Sequence, residues 1–261
     1  MAHPPENKVC PSPYTRPGPH QIVVKNRALA INSVDWDIAG TVVEVGEGVE
    51  RFRVGDRVVA MTSAVSINTA LEGGFQLYTV ASVLPLALLT ASHSLFDSAY
   101  LGLGLPTVPA RNSDSKHAVI ITGGASAVGS TAIQLAVSAG CEVVSTASPK
   151  NFNYVRKLGA AHVFDYKSDT VIGRISAAPG SGTVDPSAQV KFTLLGPHAV
   201  GKDSVVAKVY TSYLPDALAR GQFVPAPEAV VVGERLESIQ EAFAVHMQGV
   251  SAKKNVVSLD E

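Results

Sequence analysis

Short apolar runs separated by glycine turns occupy roughly the first hundred residues of the chain. Apolar and polar positions alternate around these turns, and closely spaced short strands of this kind are typical of a small barrel or sandwich. A longer apolar segment, 84–100, has the length of a helix. Residues 102–115 are rich in Gly, Pro, Ser and Asn and predict a linker or surface loop. The predicted strands are 21–24, 28–31, 40–49, 55–60 and 75–80.

Strands and helices alternate after the linker. Residues 118–122 form a continuous apolar run, as expected of a strand that is buried on both faces. Apolar positions in 130–139 recur at helical spacing, and a second strand and a second helix follow over 141–146 and 148–158. With a third strand at 162–165, this order favours a parallel α/β sheet.

The regular alternation stops after the third strand. Residues 176–189 have turn chemistry without periodicity, 190–195 predict a strand, and 205–219 predict an amphipathic helix. The tail, 230–259, predicts strand, helix and strand, with the helix over 237–249. The predicted fold class is therefore α/β, with a β-rich domain followed by a parallel sheet and its helices.

Composition narrows the classes of function. Hydrophobic residues make up 46% of the chain and charged residues 16%, against a usual charged share of about 25%, which excludes general disorder. The 21 Lys and Arg against 22 Asp and Glu leave a formal charge of −1, and no long basic run is present. With only 6% aromatic residues as well, the chain lacks the footprint of a nucleic-acid-binding protein.

Cysteine usage and hydropathy indicate the compartment. Two cysteines, Cys10 and Cys141, cannot form a disulfide framework, and they favour a reducing environment. The first residues lack the apolar core of a signal peptide, and the most apolar stretch, 80–89, is about half the length of a membrane span. We therefore expect a cytoplasmic protein with no membrane partner.

A glycine turn, Gly123-Gly124-Ala125-Ser126-Ala127-Val128-Gly129, lies between a predicted buried strand and a helix. A helix N-terminus offers unpaired N–H groups and a partial positive charge, against which a pyrophosphate can lie. Glycines let the backbone approach the phosphates and let the helix pack on the strand. The strict Gly-x-Gly-x-x-Gly pattern is absent, and a purely steric role for the glycines is the alternative. The flanking strand and helix favour a dinucleotide site.

The end of the second strand indicates which dinucleotide binds. A site selective for NAD has an acidic residue there, which holds the ribose hydroxyls, but 146–151 contains none. Ser148 and Lys150 suit a 2′-phosphate instead, and Tyr166 after the third strand can close the same pocket. We therefore predict NADPH. The alternative is that Ser148 only caps a helix and that Lys150 is solvated, although a lysine near a helix N-terminus is unfavourable.

Several catalytic patterns are absent from the sequence. It contains no Tyr-x-x-x-Lys dyad, no Gly-x-Ser-x-Gly elbow and no cluster of His or Cys that would bind zinc, so no metal is expected. Residues 196–203 come close to a phosphate-binding P-loop, but Asp203 stands where the motif requires Ser or Thr. Because that carboxylate would repel phosphate, nucleotide hydrolysis is disfavoured.

Several segments together resemble one family, and they keep its order. They are Val34-Asp35-Trp36, 39–46, 52–58, 74–78, 146–151, 158–160 and 163–166. With the glycine turn, they resemble the medium-chain dehydrogenase/reductase superfamily, and most closely its zinc-free branch of quinone reductases and fungal trans-acting enoyl reductases. The resemblance implies a GroES-like substrate domain, 1–100 completed by 225–261, and a truncated Rossmann domain, 101–224, with NADPH in the cleft.

The resemblance also implies which residues form the site. The glycine turn would contact the pyrophosphate, and 148–151 with Tyr166 would contact the adenosine phosphate. No catalytic residue is assigned, and Tyr78 is expected to be a buried structural residue rather than the proton donor. The implied cofactor residues are Val34, Asp35, Trp36, Gly124, Ala125, Ser126, Ala127, Val128, Gly129, Ser148, Pro149, Lys150, Asn151, Tyr166, Val256 and Val257. The implied substrate residues are Leu86, Ala87, Leu88, Thr90, Leu195, Gly196, Pro197, His198 and Ala199.

The chain departs from the family at several joins, which indicate internal deletions. Trp36 runs directly into Asp37, so the lysine that often follows this turn is missing. Further joins lie near Cys10 and around 82–84. The largest follows Ile175, where the family has a strand, a helix and a strand, and their loss would expose apolar sheet edges.

The function implied by the resemblance is that of an NADPH-dependent oxidoreductase in secondary metabolism, which reduces an activated double bond or a quinone. The implied partner is a small-molecule substrate, including the carrier-bound acyl chain of a polyketide synthase. The alternative is a degenerate, non-catalytic family member that at most binds NADPH.

Overall fold

The computed structural model describes residues 8–31, 37–62, 74–82, 86–112, 118–178, 201 and 203–259. The chain divides into two compact units, one of Met1–Leu86 with Ala229–Glu261 and the other of Ala87–Glu228. The domain boundaries predicted from the sequence follow residues 100 and 224, whereas the units divide after residues 86 and 228.

The elements alternate along the chain much as the hydrophobic pattern predicts. In chain order the strands are β1 (Ile22–Ala30), β2 (Asp37–Val45), β3 (Arg57–Thr62), β4 (Tyr78–Ser82), β5 (Ala118–Ile121), β6 (Glu142–Ala147), β7 (His162–Asp165), β8 (Glu228–Glu234) and β9 (Lys253–Ser258). The α-helices are α1 (Leu86–Phe96), α2 (Ala127–Ser138), α3 (Phe152–Lys157), α4 (Val171–Ser176), α5 (Val205–Lys208), α6 (Leu214–Ala219) and α7 (Ile239–Met247). Among the described residues, no helix is long and apolar enough to cross a membrane.

A six-stranded sheet in the order β2-β3-β4-β1-β9-β8 forms the first unit. β1 also pairs with β2, so the strands β1 to β4 close on themselves as a small barrel, one of the two arrangements that the sequence predicts. β9 pairs antiparallel with β1 and so adds a C-terminal strand to the N-terminal sheet. The side chains that pack inside include Leu29, Ile38, Val42 and Val257, with Ile239 and Ala242 of α7 against them.

The sequence predicted two strands over 21–31, but the structure has the single strand β1. Its pairing with β2 shifts register between Val23 and Val24 and again between Asn26 and Ala28. An extra residue at a bulge interrupts the alternation of side chains between the two faces, so Val23 and Val24 are both buried. The apolar pattern therefore breaks into two runs although the strand continues.

A parallel sheet in the order β5-β6-β7 lies at the centre of the second unit, within the part of the chain that the structure describes. β6 is the middle strand, and from Val143 to Ala147 every side chain is buried. A strand covered on both faces needs such a run of apolar and small residues. Helix α2 packs against β5 and β6, and the strand–helix order is that of a Rossmann-like sheet.

Residues 205–219, predicted as one helix, form α5, a π-helical turn (Val209–Tyr213) and α6 in succession. The Tyr213 hydroxyl donates a hydrogen bond of 2.8 Å to Ser138 Oγ at the end of α2. Gln134 of α2 accepts a hydrogen bond from the Val224 amide with its Oε1 and donates one to the Val224 carbonyl with its Nε2. These bonds attach the segment after residue 205 to the C-terminal half of α2.

Candidate functional site

The glycine turn between β5 and α2 is joined to the neighbouring strand by two hydrogen bonds. The Gly124 amide donates to the Thr146 carbonyl at 2.9 Å, and the Gly123 amide donates to Thr146 Oγ1 at 3.1 Å. Gly123 has a φ of +67°, in the left-handed region that favours glycine. These hydrogen bonds and this backbone conformation therefore fix the path of the chain after β5.

Two more glycines of this turn are required by close packing. A Cβ atom on Gly129 would clash with the Gly123 carbonyl, and one on Gly124 would clash with Ser145 Oγ of β6. Helix α2 can therefore approach the strands only because these positions carry no side chain. The steric role that the sequence left open is real, and a dinucleotide site requires the same close packing.

The first amides of α2 are placed to bind an anion. Ser126 caps the helix, and its Oγ accepts a hydrogen bond of 3.0 Å from the Gly129 amide. Among the described residues, the amides of Ala127 and Val128 find no acceptor, and Val128 is 39% exposed. The first turn of α2 contains no acidic side chain, so the partial positive charge of the helix end is not neutralised.

The turns after the three parallel strands share one edge of the sheet. β5 and β6 pair up to Ile121 with Ser145, and β6 and β7 pair up to Ala147 with Asp165. The glycine turn, the segment from Ser148 onward and the segment from Tyr166 onward therefore all begin at the carboxyl end of the sheet. In open α/β sheets, ligands bind at this edge.

The segment that follows β6 offers a hydroxyl, an ammonium and an amide, and it contains no carboxylate. Ser148 precedes a 3₁₀ helix, Pro149–Asn151, but makes no capping hydrogen bond with its side chain. Its Oγ instead accepts a long hydrogen bond, 3.4 Å, from Asn151 Nδ2. Pro149 and Lys150 are exposed, whereas Asn151 is buried.

Tyr166 directly follows β7, and its side chain is 53% exposed. The ammonium of Lys167 lies 5.9 Å from the centroid of its ring, within the range of a cation–π contact. Tyr166 and the segment after Ser148 therefore stand on neighbouring strands at the same edge, as a pocket around an adenosine phosphate would require.

The implied substrate residues that the structure describes lie in the first turns of α1. Leu86, Ala87 and Thr90 are half-buried, and Leu88 is buried. On β9, Val256 is half-buried, whereas Val257 belongs to the core of the first unit and pairs with Leu29. Other implied site residues lie outside the described residues: Val34, Asp35, Trp36, Leu195, Gly196, Pro197, His198 and Ala199.

Tyr78 is not buried, contrary to the expectation from the sequence. It is 41% exposed, and its ring meets that of Tyr14 edge-on, with centroids 5.7 Å apart. The Tyr14 hydroxyl donates to Glu44, and burial and this carboxylate together raise the pKa of Tyr14. Tyr78 therefore belongs to an exposed aromatic pair on the sheet.

Sequence reasoning missed an ion pair between Asp37 and Lys254. The atoms Asp37 Oδ2 and Lys254 Nζ are 3.6 Å apart, and both side chains are largely buried. Asp37 was singled out only because it follows Trp36 directly. Nothing in a local pattern connects it with a lysine near the other end of the chain.

Among the described residues, no group of three or more His, Cys, Asp or Glu side chains could hold a metal ion. The candidate site therefore consists of a glycine turn, a helix N-terminus and the polar groups on the neighbouring strand ends.

Two family models match the chain. Residues 18–87 match the alcohol dehydrogenase GroES-like domain, and residues 127–193 match the zinc-binding dehydrogenase model. Dehydrogenase pigH of Monascus ruber is 38% identical, over 95% of this chain and 94% of its own length. The chain belongs to the medium-chain dehydrogenase/reductase superfamily. Trans-enoyl reductase himH of Aspergillus japonicus, 33% identical over 92% of this chain and 90% of its own, places it in the enoyl-reductase-like branch of that superfamily.

A solved structure shows the same fold. The quinone oxidoreductase of Pseudomonas syringae pv. Tomato DC3000 has a TM-score of 0.67 at 20% identity, with 96% of this chain and 94% of that chain covered. The mixed α/β architecture of a sheet-rich N-terminal domain and a Rossmann-like parallel sheet is thereby confirmed.

This member of the superfamily is shorter than its relative. The alignment with the Monascus ruber protein extends over 349 positions, whereas this chain has 261 residues. Stretches of the relative therefore have no counterpart here, in agreement with the joins between intact motifs in the sequence.

Proposed function

We propose that this oxidoreductase uses NADPH to reduce an activated carbon–carbon double bond or a quinone. The observation that supports the proposal most directly is the edge of the parallel sheet. There the start of α2, with the Ala127 and Val128 amides, lies at the same edge as the carboxylate-free segment after β6.

The residues present fit a dinucleotide. The close packing at Gly124 and Gly129 holds the start of α2 against the strands, and the Ala127 and Val128 amides would donate hydrogen bonds to a pyrophosphate there. In the proposed complex, Ala125 and Ser126 lie beside the same phosphates. NADPH supplies the hydride when bound, and the protein contributes binding and orientation.

The segment after β6 would select NADPH over NADH. Within the part of the chain that the structure describes, Ser148 Oγ accepts only the long hydrogen bond from Asn151, and the exposed Lys150 can bring a positive charge to a 2′-phosphate. Charge-assisted hydrogen bonds of this kind are roughly twice as strong as neutral ones. An NAD site would instead need a carboxylate here for the ribose hydroxyls.

The proposed substrate is an enoyl group, and the first turns of α1 would line its pocket. The support comes from relatives whose names describe them as trans-enoyl reductases, among them the Aspergillus japonicus protein. The proposal includes an acyl chain presented by the carrier of a polyketide synthase as the physiological form of the substrate.

A titration of the purified full chain with NADPH and NADH, followed by nicotinamide fluorescence, tests the cofactor. We expect saturable binding of both, with NADPH clearly favoured. Equal affinities would show that the selectivity assigned to Ser148 and Lys150 is wrong. A folded protein that binds neither dinucleotide would refute the proposal.

Lys150→Ala tests the assignment of the phosphate site. Because a hydrogen bond to a charged group contributes about 1.5–3 kcal/mol, the variant should bind NADPH about ten to a hundred times more weakly. Its affinity for NADH should not change. Lys157→Ala is the matched control, since Lys157 is also an exposed lysine of the same unit, at the end of α3. Equal losses in both variants would contradict the assignment.

A second candidate function is a family member that binds NADPH without catalysis. The observation that favours it is the 349-position alignment, in which stretches of the Monascus ruber relative have no counterpart in this chain. Oxidation of NADPH with crotonyl-coenzyme A or 1,4-benzoquinone separates the two functions. Turnover above the uncatalysed rate supports the reductase, and binding without turnover supports the second candidate.

A further inference from the structure

Three distant segments of the chain meet at the carboxylate of Asp37, the first residue of β2. Asp37 Oδ1 accepts a hydrogen bond of 2.8 Å from the amide of Leu86, the first residue of α1. Asp37 Oδ2 lies 3.6 Å from Nζ of Lys254 on β9, and the two side chains are 12% and 22% exposed. One buried carboxylate thus joins β2, the start of α1 and β9.

Helix α1 receives its N-terminal negative charge from this distant residue. Its own first turn contains no acidic side chain. A carboxylate that accepts a first-turn amide stabilises a helix start, both by pairing the amide and by opposing the helix dipole. Asp37 therefore stabilises the start of α1 at Leu86.

Lys254 in turn constrains the carboxylate. With one oxygen bonded to the Leu86 amide and the other facing the ammonium, the two ends of the carboxyl group have different partners. Burial lowers the pKa of Lys254, and the attraction of Asp37 offsets only part of this effect. Such a pair is a weak source of stability, because desolvation opposes the attraction. The alternative is that the Asp37–Lys254 pair fixes the orientation of the carboxylate at the start of α1.

We propose that Asp37 and Lys254 are positioning residues for the substrate, which act by fixing the first turn of α1. The inference rests on the proposed function, which assigns Leu86, Ala87, Leu88 and Thr90 of this helix to the substrate pocket. Neither Asp37 nor Lys254 is required to touch the reacting atoms.

Amide hydrogen exchange of the full chain tests the positioning without any need for turnover. In Lys254→Met, exchange in the first turn of α1 should accelerate by up to about tenfold, the effect of weakening one hydrogen bond. Exchange in α2 should not change. Lys253→Met is the matched control, because Lys253 is the preceding residue of the same strand and is exposed. Unchanged exchange in α1, or equal changes in both variants, would overturn the inference.

Steady-state kinetics with crotonyl-coenzyme A test the consequence for the substrate. Lys254→Met should raise KM about tenfold, as loss of one hydrogen-bond equivalent predicts, with kcat and the Kd of NADPH changed far less. Lys254→Arg should recover most of the loss, because it restores the charge. A purely structural role would lower the amount of active protein without moving KM, and that result would overturn the inference.

Asp37→Asn replaces Lys254→Met if the lysine variant does not fold. It keeps an oxygen for the Leu86 amide but removes the charge that faces Lys254, so the same rise in KM and the same faster exchange are expected. An unaltered variant would overturn the inference. Failure of the wild-type protein to turn over any probe would instead refute the proposed function, and the exchange experiment would still decide whether the pair positions α1.

Discussion

Lys254 is partly buried, and burial disfavours the charged form of its amino group. Desolvation lowers its pKa below the ordinary value of 10.5, and the Asp37 carboxylate raises it only in part. Because the folded-state pKa is the lower one, the unfolded chain binds more protons than the folded protein in the pH range just below 10.5. Lys254 therefore makes the protein more stable as the pH rises through that range.

Comparison of wild type with Lys254→Met should reveal this dependence. We expect the free energy of unfolding of the wild type to increase relative to that of the variant as the pH is raised toward 10.5. Urea unfolding at a series of alkaline pH values measures the difference, and all other titrating groups cancel. If the free energy of unfolding of the wild type instead decreased relative to that of the variant with rising pH, the attraction of Asp37 would outweigh the effect of burial on the pKa of Lys254.

Gly129→Ala should damage the proposed phosphate site through packing alone. Its Cβ would clash with the Gly123 carbonyl, so α2 must move away from the turn, at a cost of about 1–3 kcal/mol in stability. Thermal unfolding and NADPH titration should both show the loss. Gly173→Ala in α4 is the control, since its Cβ would meet no atom within 4 Å, and it should stabilise by about 0.4–1 kcal/mol. Equal effects of the two variants would contradict the packing argument.

Residues of the candidate site differ in how far the sequence could predict them. The close packing of the glycine turn before α2 was predictable because the strand and the helix that flank the turn lie within a few residues of it. The role of Lys150 stays a prediction. The ion pair of Asp37 with Lys254 could not be predicted from the sequence, because it depends on the pairing of β9 with β1. Exposure of Tyr78 was also missed, since a strand residue can face either side of a closed barrel.

Among the elements, the strand–helix pairs of the second unit were predicted best. β7 was predicted residue for residue, and β5 and β6 to within one residue at each end. The start of α2 was predicted at residue 130, but the helix begins at Ala127, because small residues in the glycine turn have weak helical periodicity. The π-helical turn at Val209–Tyr213 has no signature in apolar spacing, so 205–219 reads as a single helix.

The reaction rates of the two cysteine thiols report on the packing of α2 on β6. Cys141, just before β6, is 7% exposed, and burial raises the pKa of its thiol, whereas Cys10 is exposed. Because the thiolate is the reactive form, an aromatic disulfide reagent should label one thiol quickly and the second only when the second unit opens. Cys10→Ser should remove the fast phase alone. Two fast thiols in the native wild type would contradict the described packing.

At the scale of the whole molecule, the proposed ligand should stabilise one unit specifically. The amides of α2 and the segments after β6 and β7 all belong to Ala87–Glu228. A ligand that binds only the folded state at about one hundred times its Kd adds about 2.7 kcal/mol. A protein that does not bind NADPH would show no such gain.

Calorimetric scans with and without NADPH measure this gain. The unfolding transition that includes the second unit should rise by about 5–10 °C at saturating NADPH, given roughly 2–4 °C per kcal/mol for chains of this size. NADH at the same concentration should give a smaller shift. Identical scans with and without NADPH would refute binding by the folded protein.

The position of β9 beside β1 also has a consequence for the order in which the protein is made. On the ribosome, every residue of the second unit is added before those of β9 and therefore emerges from the exit tunnel first. The first unit begins earlier in the message, but its β1 has no partner on the β9 side until residues 253–258 have been translated. The N-terminal strands therefore remain incomplete until β9 has emerged, and slow translation would lengthen the time during which chaperones can bind their exposed apolar side chains.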